Sequence, residues 1–243
     1  MEQRQIRWVL RQEPVVLCAV VLFAFLAWMF FGIAEEVVEG DTHIADRIML
    51  RMLRDPDDQT RMIGPPWLGQ AAMDFTALGS AAVISLMIAA VLGFLLLTKR
   101  WATALLVLVS IVGGWGLSTA LKQGFDRPRP DLVPEMTKHL NPSFPSGHAM
   151  TAAIVYLTLA ALLASTMKRK RERFYVITVA VVLTLLVGFT RIFLGVHYPT
   201  DVAAGWCVGG AWASLCWVTA RILRTRWSER LKGQQSLRAS ASE

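Results

Sequence analysis

The stretch that decides the fold is residues 14–34, PVVLCAVVLFAFLAWMFFGIA, which contains no Asp, Glu, Lys or Arg. Working outward from it, the chain contains six such uncharged runs, each 17 to 24 residues long: Pro14–Ala34, Phe75–Thr98, Trp101–Leu121, Ala149–Met167, Phe174–Thr190 and Val202–Ala220. A helix needs about 17–25 apolar residues to cross a bilayer, whereas a water-soluble helix carries a charged face. The sequence therefore predicts an all-α fold, a bundle of six transmembrane helices.

Composition supports this fold class. Of the 243 residues, 54% are hydrophobic and 18% are charged, while a soluble domain has about 25% charged residues. The three cysteines lie in apolar stretches without metal-ligand spacing, which excludes a disulfide-built scaffold and favours a packing role. The first run is too long for a cleaved signal peptide and no small-residue cleavage site follows it, so we expect a retained helix.

The chain shows no internal repeat and no second domain. We therefore expect residues 1–243 to form a single membrane-embedded domain. Its polar end, residues 233–243, is predicted to be a disordered tail.

The net charge of +7 has a topological explanation. With the N-terminus in the cytoplasm, the inside segments hold 16 of the 25 Lys and Arg residues: Arg4, Arg7, Arg11, Lys99, Arg100, Lys168, Arg169, Lys170, Arg171, Arg173, Arg221, Arg224, Arg226, Arg230, Lys232 and Arg238. Basic residues in short loops favour the cytoplasmic side, so both termini are predicted to be cytoplasmic. No soluble segment is long enough to form a basic nucleic-acid-binding domain, which excludes that class.

The first outer loop, residues 35–74, contains a candidate amphipathic helix over residues 43–54. Its apolar residues at helical spacing are Ile44, Ile48 and Met52, and the basic residues of another face are Arg47, Arg51 and Arg54. Two interpretations fit this pattern equally: an interfacial helix on the outer membrane surface, or a short helix packed over the bundle.

Three polar clusters fall at helix ends on the predicted outer face. They are residues 122–130 (KQGFDRPRP) after the third run, residues 145–148 (PSGH) before the fourth, and Arg191, His197 and Asp201 between the fifth and sixth. Charged residues beside transmembrane helices are energetically costly. Their concentration on one membrane face therefore indicates a functional site outside the cytoplasm.

The basic and hydroxyl residues of these clusters suit a phosphate group. Lys122, Arg129 and Arg191 supply three cations, and guanidinium groups bind phosphate oxygens in a bidentate manner. Ser146 and Gly147 precede an apolar helix, where a hydroxyl and backbone N–H groups can face an anion. The pattern predicts a phosphate pocket without a Walker loop and without a metal or other cofactor.

Two of the four histidines, His148 and His197, lie in the same clusters. Asp201 follows His197 by four residues, with Pro199 at the predicted first position of a helix, so Asp201 can reach back to one ring nitrogen of His197. Such a contact fixes the tautomer and leaves the other nitrogen free to act as a nucleophile. His148 is then the candidate acid for the leaving oxygen.

Taken singly, these residues also have structural explanations. The basic residues could anchor helix ends at the membrane surface, Asp201 could serve only the helix dipole, and His148 could be a bystander at a helix start. Convergence from three helix ends favours the functional interpretation. Asp126 and Arg127 are the exception, and we interpret them as a local solvated pair.

The motifs, in their order along the chain, are Lys-x6-Arg-Pro from Lys122, Pro-Ser-Gly-His from Pro145 and Arg-x5-His-x3-Asp from Arg191. This ordered trio resembles the type 2 phosphatidic acid phosphatase superfamily, the lipid phosphate phosphatases, which are related in fold to vanadium haloperoxidases and glucose-6-phosphatase. The motifs span residues 122–201, and the six-helix layout extends the resemblance over most of the chain. One departure is Thr190, where the family commonly has Ser.

The resemblance implies a mechanism. It implies that His197 attacks phosphorus and forms a phosphohistidine, that Asp201 orients it, and that His148 protonates the leaving group. The residues that it assigns to the phosphoryl oxygens are Lys122, Arg129, Ser146, Gly147 and Arg191. Because fixed cations stabilise the charge, no metal is required. The implied substrate is a lipid phosphate that enters sideways from the outer leaflet: phosphatidic acid, phosphatidylglycerol phosphate or a polyprenyl diphosphate such as undecaprenyl diphosphate.

Two other functions stay open on the sequence. A lipid headgroup phosphotransferase would use the same site with an acceptor hydroxyl in place of water. A non-catalytic lipid transporter or scaffold would be favoured by broken helices or intramembrane charges, and the six runs contain no charged residue. The expected location is the cytoplasmic (inner) membrane of a bacterium, with the active site on the periplasmic face. The oligomeric state leaves no signal in the sequence.

Overall fold

The computed structural model describes residues 14–133 and 142–240, with side chains described as far as residue 225. Within these residues the chain forms eight α-helices and no β-sheet. The helices are α1 (Pro14–Glu39), α2 (His43–Arg51), α3 (Pro66–Ala77), α4 (Ala81–Leu97), α5 (Trp101–Gly124), α6 (Gly147–Thr166), α7 (Lys170–Phe193) and α8 (Pro199–Ser240). The all-α prediction is confirmed. Arg4, Arg7 and Arg11, assigned to the cytoplasmic side, lie outside the described residues.

Five helices are long and apolar enough to cross a bilayer, namely α1, α5, α6, α7 and the Pro199–Thr225 part of α8. The second predicted span differs from the prediction because it is a pair of helices, α3 and α4, bent by 42°. Counted as one span, this pair makes the sixth. Ser80 explains the break: its hydroxyl accepts a hydrogen bond from the backbone N–H of Val83 (3.3 Å) and so caps a new helix.

The last helix is longer than expected. α8 continues to Ser240, so residues 233–240 are helical where a disordered tail was predicted, and residues 241–243 lie outside the described part of the chain. The physical reason is composition. Gly233 is the single poor helix former in this segment and costs about 1 kcal/mol, whereas Gln, Leu, Arg and Ala around it favour helix.

α8 is the central helix, since it packs against both α6 and α1, and α6 packs in turn against α7. Two glycines four residues apart bring α8 close to α6. A Cβ on Gly205 would lie 2.7 Å from the carbonyl oxygen of Ser146, and one on Gly209 would lie 2.6 Å from that of Met150. Such small-residue spacing is typical of membrane helix interfaces. The close approach also joins the helix starts, where the Ser146 N–H donates to the Asp201 carbonyl (2.9 Å).

Helix direction places the predicted site residues at one end of the bundle. Lys122 lies in the last turn of α5, and Ser146 immediately precedes α6. Arg191 lies in the last turn of α7, and Asp201 lies in the first turn of α8. Successive helices run in opposite directions, so the C-terminal ends of α5 and α7 lie on the same side as the N-terminal ends of α6 and α8. These four positions therefore lie at one end of the bundle. The basic residues 99–100 and 168–173 join the opposite helix ends.

α2 lies over the site end of the bundle and ends at Arg51, earlier than predicted. It packs inward through Asp46 and Leu50, which are both buried. The predicted apolar face is turned outward, and its exposed residues are Ile44, Ile48 and Met52. The helix is therefore packed over the bundle, as one of the two interpretations expects, and it presents an apolar face to its surroundings.

Arg54 corrects the predicted basic face of that helix. It lies beyond the end of α2, bridges to Met62 and is only 1% exposed. Its Nη2 donates to the carbonyl of Phe193 (3.1 Å), and its guanidinium packs against Gly195, whose φ of +73° suits glycine. Arg54 thereby ties the first outer loop to the loop that follows α7.

Candidate active site

His197 and Asp201 form a buried pair at the end of the bundle where α6 and α8 begin. His197 lies in the loop between α7 and α8 and is 1% exposed, and Asp201 is completely buried. α8 begins at Pro199, as predicted, so Asp201 reaches back and its Oδ2 lies 3.4 Å from Nδ1 of His197. The same oxygen accepts a hydrogen bond from the backbone N–H of Tyr198 (2.9 Å). Asp201 therefore orients the imidazole with Nδ1 as the donor.

The second ring nitrogen of His197 faces a cation. Nη1 of Arg129 lies 3.0 Å from Nε2 of His197 and also donates to the carbonyl of Val196 (2.9 Å). With the Nδ1 proton directed at Asp201, Nε2 carries the lone pair and accepts from Arg129. A phosphate that takes over this arginine donor would come to lie against the free lone pair.

The surroundings keep His197 neutral. Burial, together with the positive charges of Arg129 and Arg191, lowers the pKa of His197 from 6.5 to about 4, although Asp201 acts to raise it. A neutral imidazole is the nucleophilic form. Burial also lowers the pKa of Arg129, although an arginine keeps its charge in a protein at neutral pH.

Lys122 completes a ring of three cations. It lies within electrostatic range of Arg129, Arg191 and Asp201. Its Nζ is 3.2 Å from the point where a Cβ on Gly147 would lie, so a larger residue at position 147 would displace the ammonium group. Among the described residues, no group of three or more His, Cys, Asp or Glu side chains is arranged to hold a metal ion. Lys122, Arg129 and Arg191 also lie within electrostatic range of His148.

Two polar atoms beside these cations lack partners. Ser146 Oγ and Arg191 Nε are buried and, within the described part of the chain, make no hydrogen bond. Arg191 is otherwise held by donation from Nη1 to the hydroxyl of Thr76 (3.2 Å). Because native proteins rarely leave buried polar atoms unsatisfied, an anion at the start of α6 is the natural acceptor for both. This arrangement fits a phosphoryl group.

His148, in the first turn of α6, faces a large groove. The groove has a volume of about 670 Å³ and runs from Lys122 and His148 between α4, α5 and α6. Its apolar lining consists of Ile84, Ile88, Ile111, Val112, Trp115, Ile154 and Val155. At 1.5 Å per residue, Lys122 and Ile111 are about 16 Å apart along α5, roughly half of a 30 Å hydrocarbon core. The groove therefore extends from Lys122 and His148 over about the depth of one leaflet, between mainly apolar side chains.

The interpretation of Arg127 as a solvated partner of Asp126 is wrong. Arg127 is 6% exposed, and its guanidinium carbon lies 4.4 Å from the ring centroid of Tyr198. Its Nη1 donates to Oδ1 of Asp201 (2.6 Å), and its Nη2 donates to Oδ2 of Asp46 (2.8 Å). Arg127 is thus a partner of the Asp201 carboxylate, and its position two residues before Arg129 does not indicate this contact.

The sequence did not indicate a role for Asp46 either. It is 1% exposed and lies on α2, 81 residues before Arg127. Helical spacing does place Asp46 and Leu50 on one face of α2. Nothing local, however, indicates that this face is turned inward towards the site.

The sequence of residues 102–224 matches the PAP2 superfamily, and this region contains all three motifs. The chain belongs to the PAP2 superfamily. The predicted resemblance is confirmed, because the type 2 phosphatidic acid phosphatases are this family.

Similar PAP2 proteins are phosphatases of lipids. Phosphatidylglycerophosphatase B of Bacillus subtilis (strain 168) is 34% identical over 152 residues, which cover 61% of this chain and 73% of that protein. Lipid A 1-phosphatase of Rhizobium etli is 33% identical over 124 residues, which cover 47% of this chain and 48% of that protein. The crystal structure of a transmembrane PAP2 type phosphatidylglycerolphosphate phosphatase from Bacillus subtilis matches with a TM-score of 0.64 at 29% identity, covering 82% of this chain and 93% of that chain. The architecture is therefore that of a multi-pass PAP2 membrane phosphatase.

Thr190 is the position at which the chain departs from the PAP2 pattern. Its hydroxyl donates to the carbonyl of Val187 within α7 (2.7 Å). The hydroxyl proton of Thr190 is therefore used within its own helix.

Proposed function

We propose that this protein is an integral membrane lipid phosphatase that hydrolyses phosphate monoesters or diphosphates of lipids through a phosphohistidine intermediate. The observation that carries the proposal is that Lys122, Gly147 and His148 line one end of the mainly apolar groove, while Lys122 also belongs to the group of cations beside Asp201. The cations suit the phosphoryl group, and the groove suits an acyl or prenyl chain. The relatives' names, which are those of lipid phosphatases, support the same class of substrate.

In the proposed first step, Nε2 of His197 attacks phosphorus and the bond to the leaving oxygen breaks. Asp201 accepts the Nδ1 hydrogen bond and stabilises the positive charge that develops on the ring. His148, at the mouth of the groove, donates a proton to the leaving oxygen. In the second step, His148 takes a proton from water, which attacks the phosphohistidine and releases phosphate.

The negative charge of the transferring phosphoryl group falls on its equatorial oxygens. The groups proposed to bind these oxygens are Lys122, Arg129, Arg191, the hydroxyl of Ser146 and the backbone N–H of Gly147. Preorganised cations aimed at developing charge are an effective source of catalysis. We therefore propose that the reaction needs no metal ion.

We further propose that residues 1–243 form one membrane-embedded phosphatase domain in the bacterial inner membrane, with both termini in the cytoplasm and the site on the periplasmic face. The support is the separation of the site from the basic segments 99–100 and 168–173, which join the opposite helix ends. A lipid in the outer leaflet would reach His197 through the side of the bundle.

The test is phosphate release from purified lipids by the full chain in detergent. The panel consists of phosphatidic acid, phosphatidylglycerol phosphate and undecaprenyl diphosphate. We expect release from at least one lipid, retained activity in EDTA and inhibition by orthovanadate, which mimics the transition state. His197→Ala is expected to abolish release, while His43→Ala, a histidine outside the site, serves as the matched control.

Two outcomes would change the proposal. A folded wild-type protein that releases phosphate from none of these lipids would contradict it. Labelled phosphate recovered on an added acceptor alcohol, rather than as free phosphate, would instead identify a headgroup phosphotransferase that uses the same site.

A further inference from the structure

We propose that Asp46, on helix α2, is a positioning residue for the nucleophile and acts on His197 through Arg127 and Asp201. The helix that lies over the bundle would then be part of the catalytic apparatus. The inference rests on the proposed function, in which His197 attacks phosphorus.

The four side chains form a continuous buried series. Nδ1 of His197 meets Oδ2 of Asp201 at 3.4 Å, Oδ1 of Asp201 accepts from Arg127 at 2.6 Å, and Arg127 donates to Asp46 at 2.8 Å. None of the four is more than 6% exposed. Buried charges are costly unless they are paired and hydrogen-bonded, so this series is held in one arrangement.

Arg127 determines which way the carboxylate of Asp201 points. The two carboxylate oxygens have different partners: Oδ1 accepts from Arg127, while Oδ2 accepts from the N–H of Tyr198 and faces the ring of His197. Rotation of the carboxylate would break the short contact with Arg127. Fixing Oδ1 therefore aims Oδ2 at Nδ1 and sets the direction in which Nε2 points.

Asp46 holds Arg127 and the start of α8 together. Besides binding Arg127 through Oδ2, Asp46 accepts from the backbone N–H of Thr200 (3.1 Å) and from its hydroxyl (2.6 Å). The hydroxyl of Thr200 also accepts from Nη1 of Arg127 (2.8 Å). A carboxylate at a helix start satisfies N–H groups that have no partner within the helix. Asp46 thus fixes the helix turn that carries Asp201.

The charges support the same role. Arg127 lies between two carboxylates, so its positive charge is shared by Asp46 and Asp201. Without Asp46, no second carboxylate would offset the positive charge of Arg127. That charge would then cancel more of the negative charge of Asp201, which stabilises the positive charge that develops on His197. Asp46 therefore keeps the negative charge of Asp201 available to the nucleophile.

The test compares Asp46→Asn with Asp41→Asn, which removes the same charge from an exposed position five residues earlier. We expect Asp46→Asn to lower kcat by roughly 10- to 100-fold, the size of effect that a small misplacement of a reacting group produces. KM should change little, and Asp41→Asn should behave as wild type. Loss of kcat with unchanged KM identifies an interaction that matters in the transition state.

Inhibitor binding separates positioning from a merely structural role. Vanadate needs a bond to Nε2 of His197, whereas phosphate needs only the cations. Asp46→Asn should therefore weaken vanadate inhibition by about the same factor as kcat and leave phosphate inhibition unchanged. Equal weakening of both inhibitors, or an unchanged kcat, would overturn the inference.

Thr200→Val decides the question if Asp46→Asn does not fold. This variant keeps every charge and removes the hydroxyl that links Asp46 to Arg127, and we expect the same loss of vanadate binding over phosphate binding on a smaller scale. Wild-type behaviour of a folded Thr200→Val would then overturn the inference. An inactive wild type is a failure of the proposed function, whereas an active wild type with an equally active Asp46→Asn is a failure of this inference alone.

Discussion

Acid should inhibit this enzyme far less than an ordinary histidine nucleophile would allow. At pH 5 a histidine with a pKa of 6.5 is about 3% neutral, so a rate that depends on it falls roughly 30-fold. The surroundings of His197 hold its pKa at about 4, which leaves about 90% of it neutral at the same pH. The contribution of His197 to kcat/KM should therefore fall by less than about twofold between pH 7 and pH 5.

The profile of kcat should differ from that of kcat/KM. The first reports ionisation in the enzyme–substrate complex and the second reports the free enzyme. The negative charge of a bound phosphate offsets Arg129 and Arg191, two of the causes that lower the pKa of His197, while Asp201 continues to raise it. The pKa should rise in the complex, so the acid limb of kcat should lie at higher pH than the acid limb of kcat/KM.

The assay is initial phosphate release in detergent from about pH 4 to pH 8, with a lipid monoester and a lipid diphosphate. The phosphate groups of the two substrates ionise differently, so an acid limb common to both belongs to the enzyme. Recovery of the full rate after return to pH 7 controls for unfolding. A common limb in kcat/KM near pH 6.5 would refute the argument that burial and two arginines keep His197 neutral.

Three further predictions concern the leaving group, the groove and the topology. His148→Ala should slow a lipid monoester at least about tenfold more than a lipid diphosphate, because an alkoxide needs a proton more than a departing phosphate does; equal losses in kcat would argue against His148 as the acid. Ile88→Trp should obstruct the groove and depress turnover of a long-chain lipid phosphate while sparing a short-chain soluble ester, and equal effects on both would place the chain elsewhere. In intact cells, an impermeant thiol reagent should label Asp131→Cys and not Ser236→Cys, and the reverse pattern would invert the topology.

The parts of the fold that the sequence predicts are those set by local pattern. Uncharged runs of sufficient length locate the spans, and the four-residue spacing from His197 to Asp201 locates their contact. The break between α3 and α4 was not predicted, because glycine and serine, the residue types at positions 79 and 80, are also found inside continuous apolar helices. The structure shows it through the cap that Ser80 provides.

The parts that could not be predicted depend on long-range contacts. Arg127 meets Asp46 across 81 residues of sequence, and a charged pair next to a loop has the same local pattern whether it is solvated or buried. The sequence left open which face of α2 packs against the bundle, for a different reason. In a membrane protein an apolar face can be stable against lipid, so the apolar spacing of Ile44 and Ile48 did not identify the side that packs on the protein.

The most direct test of the phosphohistidine mechanism is to trap the phosphoryl group on the protein. Wild-type enzyme is mixed with a lipid phosphate that carries a radioactive phosphoryl group, quenched in alkaline detergent within one turnover, and analysed by peptide mapping. We expect acid-labile label on His197, formed as fast as the lipid is consumed and missing from His197→Ala. Label on another residue, or phosphate release from His197→Ala at the wild-type rate, would contradict the proposed mechanism.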